Sequence, residues 1–225
     1  MIRLGLVLFA VSAGLPGLGA ASMPAYVREA LARFHTDPPQ GWAYTLAVTR
    51  NGEQSVQHFD PGKPAGQQWT LVAQNGRPPT AQETARYLQE KSRNSAPPAR
   101  AAFNKEAIDR TAFELVREDP QRAVVRFRFI EDSADKMLNH LVLELIVARQ
   151  PPAIEQYTLR LVAPFSPVLT VKMLELEAGT TFGPAGSPLA GLPVRTTSRF
   201  KGRIFFKSIE EILTITYADY VQAQP

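Results

Sequence analysis

Apolar and polar residues alternate at every second position over much of the chain between Trp42 and Tyr220. A period of two places alternate side chains on opposite faces of a β-strand. The clearest apolar sets are Trp42, Tyr44, Leu46 and Val48; Val125, Phe127 and Phe129; Leu141, Leu143, Leu145 and Val147; and Leu213, Ile215 and Tyr217. Because so many segments share this pattern, the sequence predicts one large antiparallel sheet with a continuous apolar face.

Turn-forming residues divide this region into about nine to ten predicted strands. Asn51-Gly52 and Asn75-Gly76 are strong signals for tight turns, and Pro120 and Pro151-Pro152 mark two further hairpins. Such short connections favour antiparallel pairing of neighbouring strands. The predicted strands are residues 42–50, 54–59, 68–74, 112–117, 122–130, 139–149, 155–163, 168–177, 194–207 and 212–220. Residues 179–193 are predicted to form a long Gly/Pro-rich loop, and residues 208–211 a turn or one helical turn.

Two helices are predicted beside the strands. Apolar residues recur at spacings of three and four between Pro24 and Phe34, which is typical of a short amphipathic helix. Thr80 and Glu83 form a capping-box pattern that predicts a helix from Ala81 to Arg93. The twist of a sheet accumulates from strand to strand, and two helices are too few to cover a flat sheet of this size. We therefore predict an α+β fold that is mainly antiparallel β: a curved half-barrel sheet with two to three helices on its concave side.

The N-terminal segment has the pattern of an export signal. Arg3 precedes an apolar stretch from Leu4 to Leu18, and small residues with a plausible cleavage position at Ala20 or Ala21 follow. We predict a signal peptide over residues 1–21, a single domain over residues 22–225, and a periplasmic location. An uncleaved N-terminal anchor is the alternative.

Composition excludes several classes of protein. The chain has no cysteine, so disulfides, thiol nucleophiles and cysteine-ligated metals are excluded. Without Arg3 the chain retains 24 basic and 21 acidic residues, and no basic motif indicates a nucleic-acid partner. The densest basic group alternates with Phe200, Ile204 and Phe206, and it consists of Arg199, Lys201, Arg203 and Lys207. It predicts the solvated face of a strand, with attraction to anionic lipid headgroups or an acidic partner as the alternative.

No catalytic or metal-binding pattern accompanies the predicted sheet. His35, His58 and His140 lie in different predicted elements without a second ligand at a suitable spacing. The sequence Gly186-Ser187-Pro188 cannot form a nucleophile elbow, because Pro188 prevents the helix that should follow. A phosphate-binding glycine loop is absent from the sequence. We therefore predict a protein that is not an enzyme, with no catalytic residue, no metal and no cofactor.

Several predicted strands carry apolar residues on both faces, which favours hydrophobic binding. The concave side of the sheet could hold an acyl chain, and the predicted lining is Trp42, Tyr44, Trp69, Phe127, Phe129, Leu143 and Phe206. Each of these residues could instead belong to a solid core. The pattern alone leaves both interpretations open.

Two segments carry a resemblance to a known superfamily: Trp69-Thr70-Leu71-Val72 leading to Asn75-Gly76, and the closing run Thr214-Ile215-Thr216-Tyr217-Ala218-Asp219-Tyr220. With the order of elements from Tyr26 to Tyr220, they make the chain resemble the LolA/LolB-type periplasmic lipoprotein carriers. The resemblance implies an incomplete antiparallel barrel, helices that close its mouth as a lid, and lipoprotein transport. It transfers no functional residue, and the loop at 179–193 departs from the superfamily.

The leading hypothesis is an exported, non-enzymatic protein that shelters a lipid or acyl ligand. The predicted partners are that ligand and an envelope or outer-membrane protein, with no nucleic acid, and the predicted state is a monomer. A periplasmic protein-interaction or regulatory module with a filled core is the first alternative, and an enzyme acting on a small exported substrate is the second.

Overall fold

The computed structural model describes residues 22–35, 40–93, 105–131 and 136–223. The predicted signal peptide (1–21) lies outside these ranges, as do residues 94–104. The helices are α1 (Ala25–Arg33), α2 (Ala81–Arg93) and two short 3₁₀ helices, Lys105–Ala107 and Leu138–His140. The strands are β1 (Trp42–Arg50), β2 (Glu53–Phe59), β3 (Trp69–Gln74), β4 (Ile108–Glu118), β5 (Arg122–Phe129), β6 (Leu141–Arg149), β7 (Pro152–Leu161), β8 (Phe165–Val168), β9 (Val171–Phe182), β10 (Pro193–Ile204) and β11 (Lys207–Gln222).

All eleven strands belong to one open, antiparallel sheet. Its order is β3-β2-β1-β11-β10-β9-β7-β6-β5-β4, and β8 pairs with β9 beside this path. The prediction of a mainly antiparallel α+β fold is confirmed at this level. The additional strand, β8, pairs with β9 at only two positions, Phe165 with Met173 and Val168 with Val171. Pro167 fits there because a short edge strand leaves backbone positions that need no N–H donor.

Both helices form where the sequence predicts them. In the capping box that begins α2, the Thr80 backbone N–H donates to Glu83 Oε2 at 2.8 Å, and the Glu83 N–H donates to Thr80 Oγ1 at 3.2 Å. Arg77 donates through both terminal nitrogens to the same carboxylate, at 2.9 and 2.7 Å. The hydrogen bonds from Arg77 and Thr80 lower the pKa of Glu83 to about 2. The start of α2 is therefore fixed by side chains on both sides of it.

The tight turns at Asn51-Gly52 and Asn75-Gly76 are confirmed. All four residues have positive φ angles, between 49° and 89°, as a two-residue hairpin turn of type I′ requires.

Two predicted connections between strands are wrong. The loop predicted over residues 179–193 is shorter, because β9 continues to Phe182 and β10 begins at Pro193. Gly179 belongs to the sheet: a Cβ at this position would lie 2.5 Å from the Tyr157 carbonyl oxygen, so only glycine permits the approach. Residues 208–211 belong to β11 rather than to a turn, and the hairpin turns at Phe205-Phe206 instead.

Both helices cover the same face of the sheet. Residues opposite each other in register share a face, and the register links Tyr157, Thr180, Thr196, Ile215, Val48 and Ser55 across six strands. On one half, Phe34 at the end of α1 packs edge-on against Tyr157, with ring centroids 6.0 Å apart. On the other half, Tyr87 of α2 hydrogen-bonds to Gln57, which follows Ser55 by two residues on β2. We call this side the helix-covered face.

The helix-covered face carries two separate hydrophobic clusters. The α1 cluster consists of Met23, Val27, Ala30, Leu31, Phe34, Ile108, Ala123, Val125, Phe127, Phe129, Leu141, Leu143, Leu145, Val147, Ile154, Tyr157, Leu159 and Phe182. The α2 cluster consists of buried Tyr44, Leu46, Leu213, Ile215 and Tyr217, with partly buried Trp42, Val48, Phe59, Trp69 and Tyr220 around them. The apolar face predicted from the sequence is therefore divided into two parts.

Candidate functional site

A buried polar chain lies between the two clusters. Thr180 donates to the Tyr157 hydroxyl at 3.1 Å, and its own hydroxyl lies 2.9 Å from that of Thr196. Thr180 and Thr196 are almost fully buried. Because each of these groups has a hydrogen-bond partner, the face can change from apolar to polar here without an unsatisfied group.

A cavity of about 480 Å³ lies between α2 and the strands of the α2 cluster. We call it the α2 cavity, and its size is in the range of small-molecule sites. Its floor is apolar and consists of Val48, Leu71, Leu213 and Ile215. Its walls are polar and consist mainly of Arg50, Glu53, Gln54, Ser55, Gln57, Gln74, Glu83, Arg86, Glu90 and Lys91. The cavity combines an apolar base with a charged rim.

The floor is only partly open. Leu71, Leu213 and Ile215 are buried, and Val48 is half-buried. Polar groups therefore form most of the lining that solvent reaches. Full use of the apolar floor requires α2 to move away from the sheet.

Few contacts hold α2 over this floor. Tyr87 is the one buried residue among residues 81–92, and its hydroxyl donates to Gln57 Oε1 at 3.3 Å. One helical turn later, the Lys91 ammonium lies 3.8 Å above the centre of the Trp69 ring. By contrast, α1 buries Val27, Ala30 and Leu31. Since burial of apolar area is the main force that docks a helix, α2 is held less strongly than α1.

Burial alters both anchoring groups of α2. It raises the pKa of Tyr87, so the phenol is neutral over the physiological range. It lowers the pKa of Lys91 to about 8, and nearby Glu90 acts in the opposite direction. The π face of Trp69 also favours the ammonium form. Lys91 is therefore a cation at neutral pH, and within the described part of the chain it forms no salt bridge.

The seven residues predicted to line a cavity are divided among three places. Trp42, Tyr44 and Trp69 lie in the α2 cluster, where the Tyr44 and Trp69 rings are 6.1 Å apart. Three others, Phe127, Phe129 and Leu143, are buried in the α1 cluster, where they pack as core. The seventh, Phe206, is fully exposed at the turn between β10 and β11. None of the seven lines the α2 cavity itself, although Trp69 contacts Lys91 on its wall.

The cavity residues carried a weaker signal in the sequence. Val48, Leu213 and Ile215 belong to the period-two sets, but nothing in one strand shows which partner strands and which helix it meets. Tyr87 and Lys91 are four residues apart and so share one helix face. Their spacing is visible in the sequence, whereas their position over Trp69 depends on the pairing of β2 with β3.

A second cavity, of about 300 Å³, lies on the other side of the sheet near the turn between β4 and β5. Two of its charged groups are paired with each other: Arg122 Nε lies 2.6 Å from Glu155 Oε2, and Glu155 also accepts the Ala185 N–H at 3.0 Å. Arg122 and Glu155 are therefore less available to a ligand than the charged side chains on the rim of the α2 cavity.

The histidines and Ser187 lie in different elements of the described structure. His35 is exposed, His58 Nδ1 lies 3.4 Å from Thr45 Oγ1, and His140 stacks on Phe165 with 3.9 Å between ring centres. Ser187 Oγ is buried without a hydrogen-bond partner among these residues, so no base is in place to activate it. Within the same ranges, no group of three His, Asp or Glu side chains is placed to hold a metal ion.

Comparison with known proteins does not assign the chain. No protein-family model, no curated protein and no solved structure matches it. Among the helices in the described ranges, none has both the length and the apolar character needed to cross a membrane.

Proposed function

We propose that this chain is an exported, non-enzymatic binding protein that shelters a hydrophobic lipid or acyl ligand, in the manner of the LolA-like carriers. The proposal includes a cleavable signal peptide over residues 1–21 and a periplasmic location. One observation carries it: the α2 cavity has an apolar floor, a charged rim and a cover that is held by few contacts.

The proposed ligand cavity occupies one side of a half-barrel sheet. We propose that the open sheet curves so that the helix-covered face is concave, with α1 filling one end and α2 covering the other. Two features support this shape: both helices lie on one face, and the α1 cluster is solidly packed whereas the α2 cluster adjoins a cavity. The ligand would occupy only the end of the sheet that α2 covers.

The floor and the rim together favour an amphipathic ligand. Each methylene group that moves from water onto the floor contributes about 0.8 kcal/mol, so about ten of them contribute roughly 8 kcal/mol, before the costs of association. The rim carries three cations, Arg50, Arg86 and Lys91, and three carboxylates, Glu53, Glu83 and Glu90. An anionic headgroup would face Arg86 and Lys91. A fatty acid or a phospholipid has both parts.

The proposed cover is α2. Moving it exposes Tyr87, whose burial is worth about 4 kcal/mol for 150 Å² of apolar area, and separates Lys91 from Trp69, which adds about 1 kcal/mol. About ten methylene groups exceed this sum by about 3 kcal/mol, and each further one adds about 0.8 kcal/mol toward the costs of association. Displacement of α2 therefore favours long acyl chains over short ones.

Ligand uptake tests the proposal directly. We expect protein purified from the periplasmic fraction to carry a lipid or acyl mass in native mass spectrometry, or to bind a fluorescent fatty acid. Val48→Phe fills the floor and should abolish uptake. The control Val56→Phe introduces the same side chain on the neighbouring strand, where Val56 pairs with Ala47 on the opposite face, and should bind normally. Consistently empty protein that takes up no fatty acid contradicts the proposal.

A periplasmic interaction module is the second candidate, and a specific observation favours it. The α1 half of the sheet is filled, and β4, which is an edge strand within the described part of the chain, exposes Leu115 and Val116. Exposed edges are sites where another chain can add a strand. Absence of ligand, together with loss of a partner on Val116→Lys, would support this function instead.

A further inference from the structure

Two neighbouring turns at one end of the sheet form an apolar projection. The first turn, Leu169-Thr170, joins β8 to β9, and the second, Phe205-Phe206, joins β10 to β11. The Phe205 N–H donates to the Thr170 carbonyl oxygen at 2.7 Å, so the two turns are held together. We call Val168, Leu169, Ile204, Phe205 and Phe206 the apolar tip.

The side chains of the apolar tip are unusually exposed. Leu169 and Phe206 have relative exposures of 105% and 101%, and Phe205 has 68%. A side chain exposed to this extent has hardly any neighbour within its own chain. Single exposed apolar residues are ordinary, but three in two adjoining turns and two more at the strand ends beside them indicate a contact surface.

Turn geometry does not account for this choice of residues. Phe205 has a φ of +53°, a conformation in which glycine or asparagine is usual and a bulky residue is strained. The two tight asparagine-glycine turns of this chain show the ordinary solution. An aromatic residue at the strained position therefore points to a role outside the fold.

Unpaired cations flank the apolar tip. Farther along β10, Arg199 and Lys201 are matched by Glu175 and Glu210 at 3.5–4.0 Å. Nearer the tip, Lys172, Arg203 and Lys207 form no salt bridge within the described ranges. Arg203 lies directly opposite Lys172 in register, and like charges in this position repel each other.

We propose that the apolar tip docks on the surface of an anionic lipid bilayer. Leu169, Phe205 and Phe206 enter the boundary between headgroups and acyl chains, while Lys172, Arg203 and Lys207 face lipid phosphates. The phosphates also relieve the repulsion between Lys172 and Arg203. Interfacial anchors of peripheral proteins combine apolar residues with Lys and Arg in this way. A bilayer also accommodates a narrow projection, whereas a stable protein interface requires a broad patch.

Docking in this orientation brings the α2 cavity near the bilayer. Leu213, which lies on the cavity floor, follows Lys207 by six residues on β11, or about 20 Å along the strand. The inference does not depend on the proposed ligand, because the apolar tip and the cavity use different residues. Membrane binding and ligand uptake can therefore fail separately.

Vesicle flotation tests the inference. We expect the purified protein to float with vesicles of phosphatidylcholine mixed with phosphatidylglycerol, and much less with phosphatidylcholine alone. Leu169→Ser combined with Phe206→Ser should weaken partitioning by at least about ten-fold, because two exposed apolar side chains no longer enter the boundary. The control Val72→Ser removes a half-exposed valine on β3, far along the sheet order, and should float normally.

A second pair of variants tests the cations. Arg203→Gln with Lys207→Gln should remove most of the preference for anionic vesicles, as should high salt. Lys63→Gln with Arg195→Gln makes the same change of net charge away from the apolar tip and should retain the preference. Absence of flotation with anionic vesicles overturns the inference, and so does flotation that the tip variants leave unchanged. A dimer that dissociates in the double serine variant, without vesicle binding, would assign the tip to a second copy of the chain instead.

Discussion

Replacement of Lys91 by methionine tests the physical description of the α2 cavity. In the wild-type protein the ammonium lies above Trp69, partly removed from water, and burial lowers its pKa from the ordinary value of 10.5 to about 8. Lys91→Met keeps an unbranched apolar side chain over the ring and removes the ionisable group. The variant therefore changes the titration of this site with little change in packing.

The sign of the effect follows from proton binding. Between about pH 8 and pH 10.5 the unfolded chain holds a proton on Lys91 that the folded chain has released. The free energy of unfolding of the wild type therefore rises with pH over this interval, relative to a variant without the group. Above about pH 10 the raised pKa of Tyr87 acts in the opposite direction, because the folded phenol keeps its proton longer. The effect of Lys91 can therefore be measured without that of Tyr87 between about pH 8 and 9.5.

The magnitude has an upper bound. A shift of one pKa unit corresponds to 1.36 kcal/mol, so about 1.5 pH units contribute roughly 2 kcal/mol at most. The π face of Trp69 stabilises the cation by about 0.5–1 kcal/mol, which reduces the difference between the pKa values of Lys91 in the folded and unfolded states. We expect the wild type to gain about 1 kcal/mol relative to Lys91→Met across this interval.

Urea denaturation at several pH values, followed by tryptophan fluorescence, measures this difference. Lys63→Met, at an exposed loop position, is the matched control and should follow the wild type. A difference between wild type and Lys91→Met that is independent of pH, or that falls as pH rises, would refute the assignment of Lys91 as a desolvated cation.

Three further predictions concern the stability of the fold around the site. Leu143→Ala leaves a void in the α1 cluster and should lower the free energy of unfolding by about 2–5 kcal/mol in urea denaturation. Its control, Leu169→Ala at the exposed turn, should change this free energy by less than about 0.5 kcal/mol. Thr80→Ala removes the N-cap and should cost about 1 kcal/mol, with faster hydrogen exchange confined to α2. Thr180→Val removes the buried hydroxyl that contacts the hydroxyls of Tyr157 and Thr196, and it should cost about 1–3 kcal/mol; a neutral result would show that water replaces this hydroxyl.

Local rules in the sequence predict most of the fold. The capping box at Thr80 and the asparagine-glycine turns depend on neighbours within a few residues, so the sequence places them correctly. The errors occur where tertiary contacts outweigh local preference. Gly179 is typical of a loop by composition, but it lies within β9 because its missing side chain permits close approach to β7.

The site was harder to predict than the fold. A period of two identifies which residues share a face, but it cannot show that Phe127 and Leu143 fill one half while Val48 and Ile215 adjoin a cavity in the other. That distinction depends on which helix covers each half and on how closely it packs. Phe206 continues the alternation of β10 in sequence, yet the chain turns at this residue and places its ring in solvent.

The proposed function places a hydrophobic ligand in the α2 cavity, beneath α2. Photo-crosslinking with a diazirine-labelled fatty acid, followed by peptide mapping, identifies the residues that such a ligand contacts. We predict labels on peptides from β1, β11 and α2, and loss of these labels in Val48→Phe but not in Val56→Phe. Labelling confined to the α1 half of the sheet, or labelling that Val48→Phe does not reduce, would contradict binding in the α2 cavity.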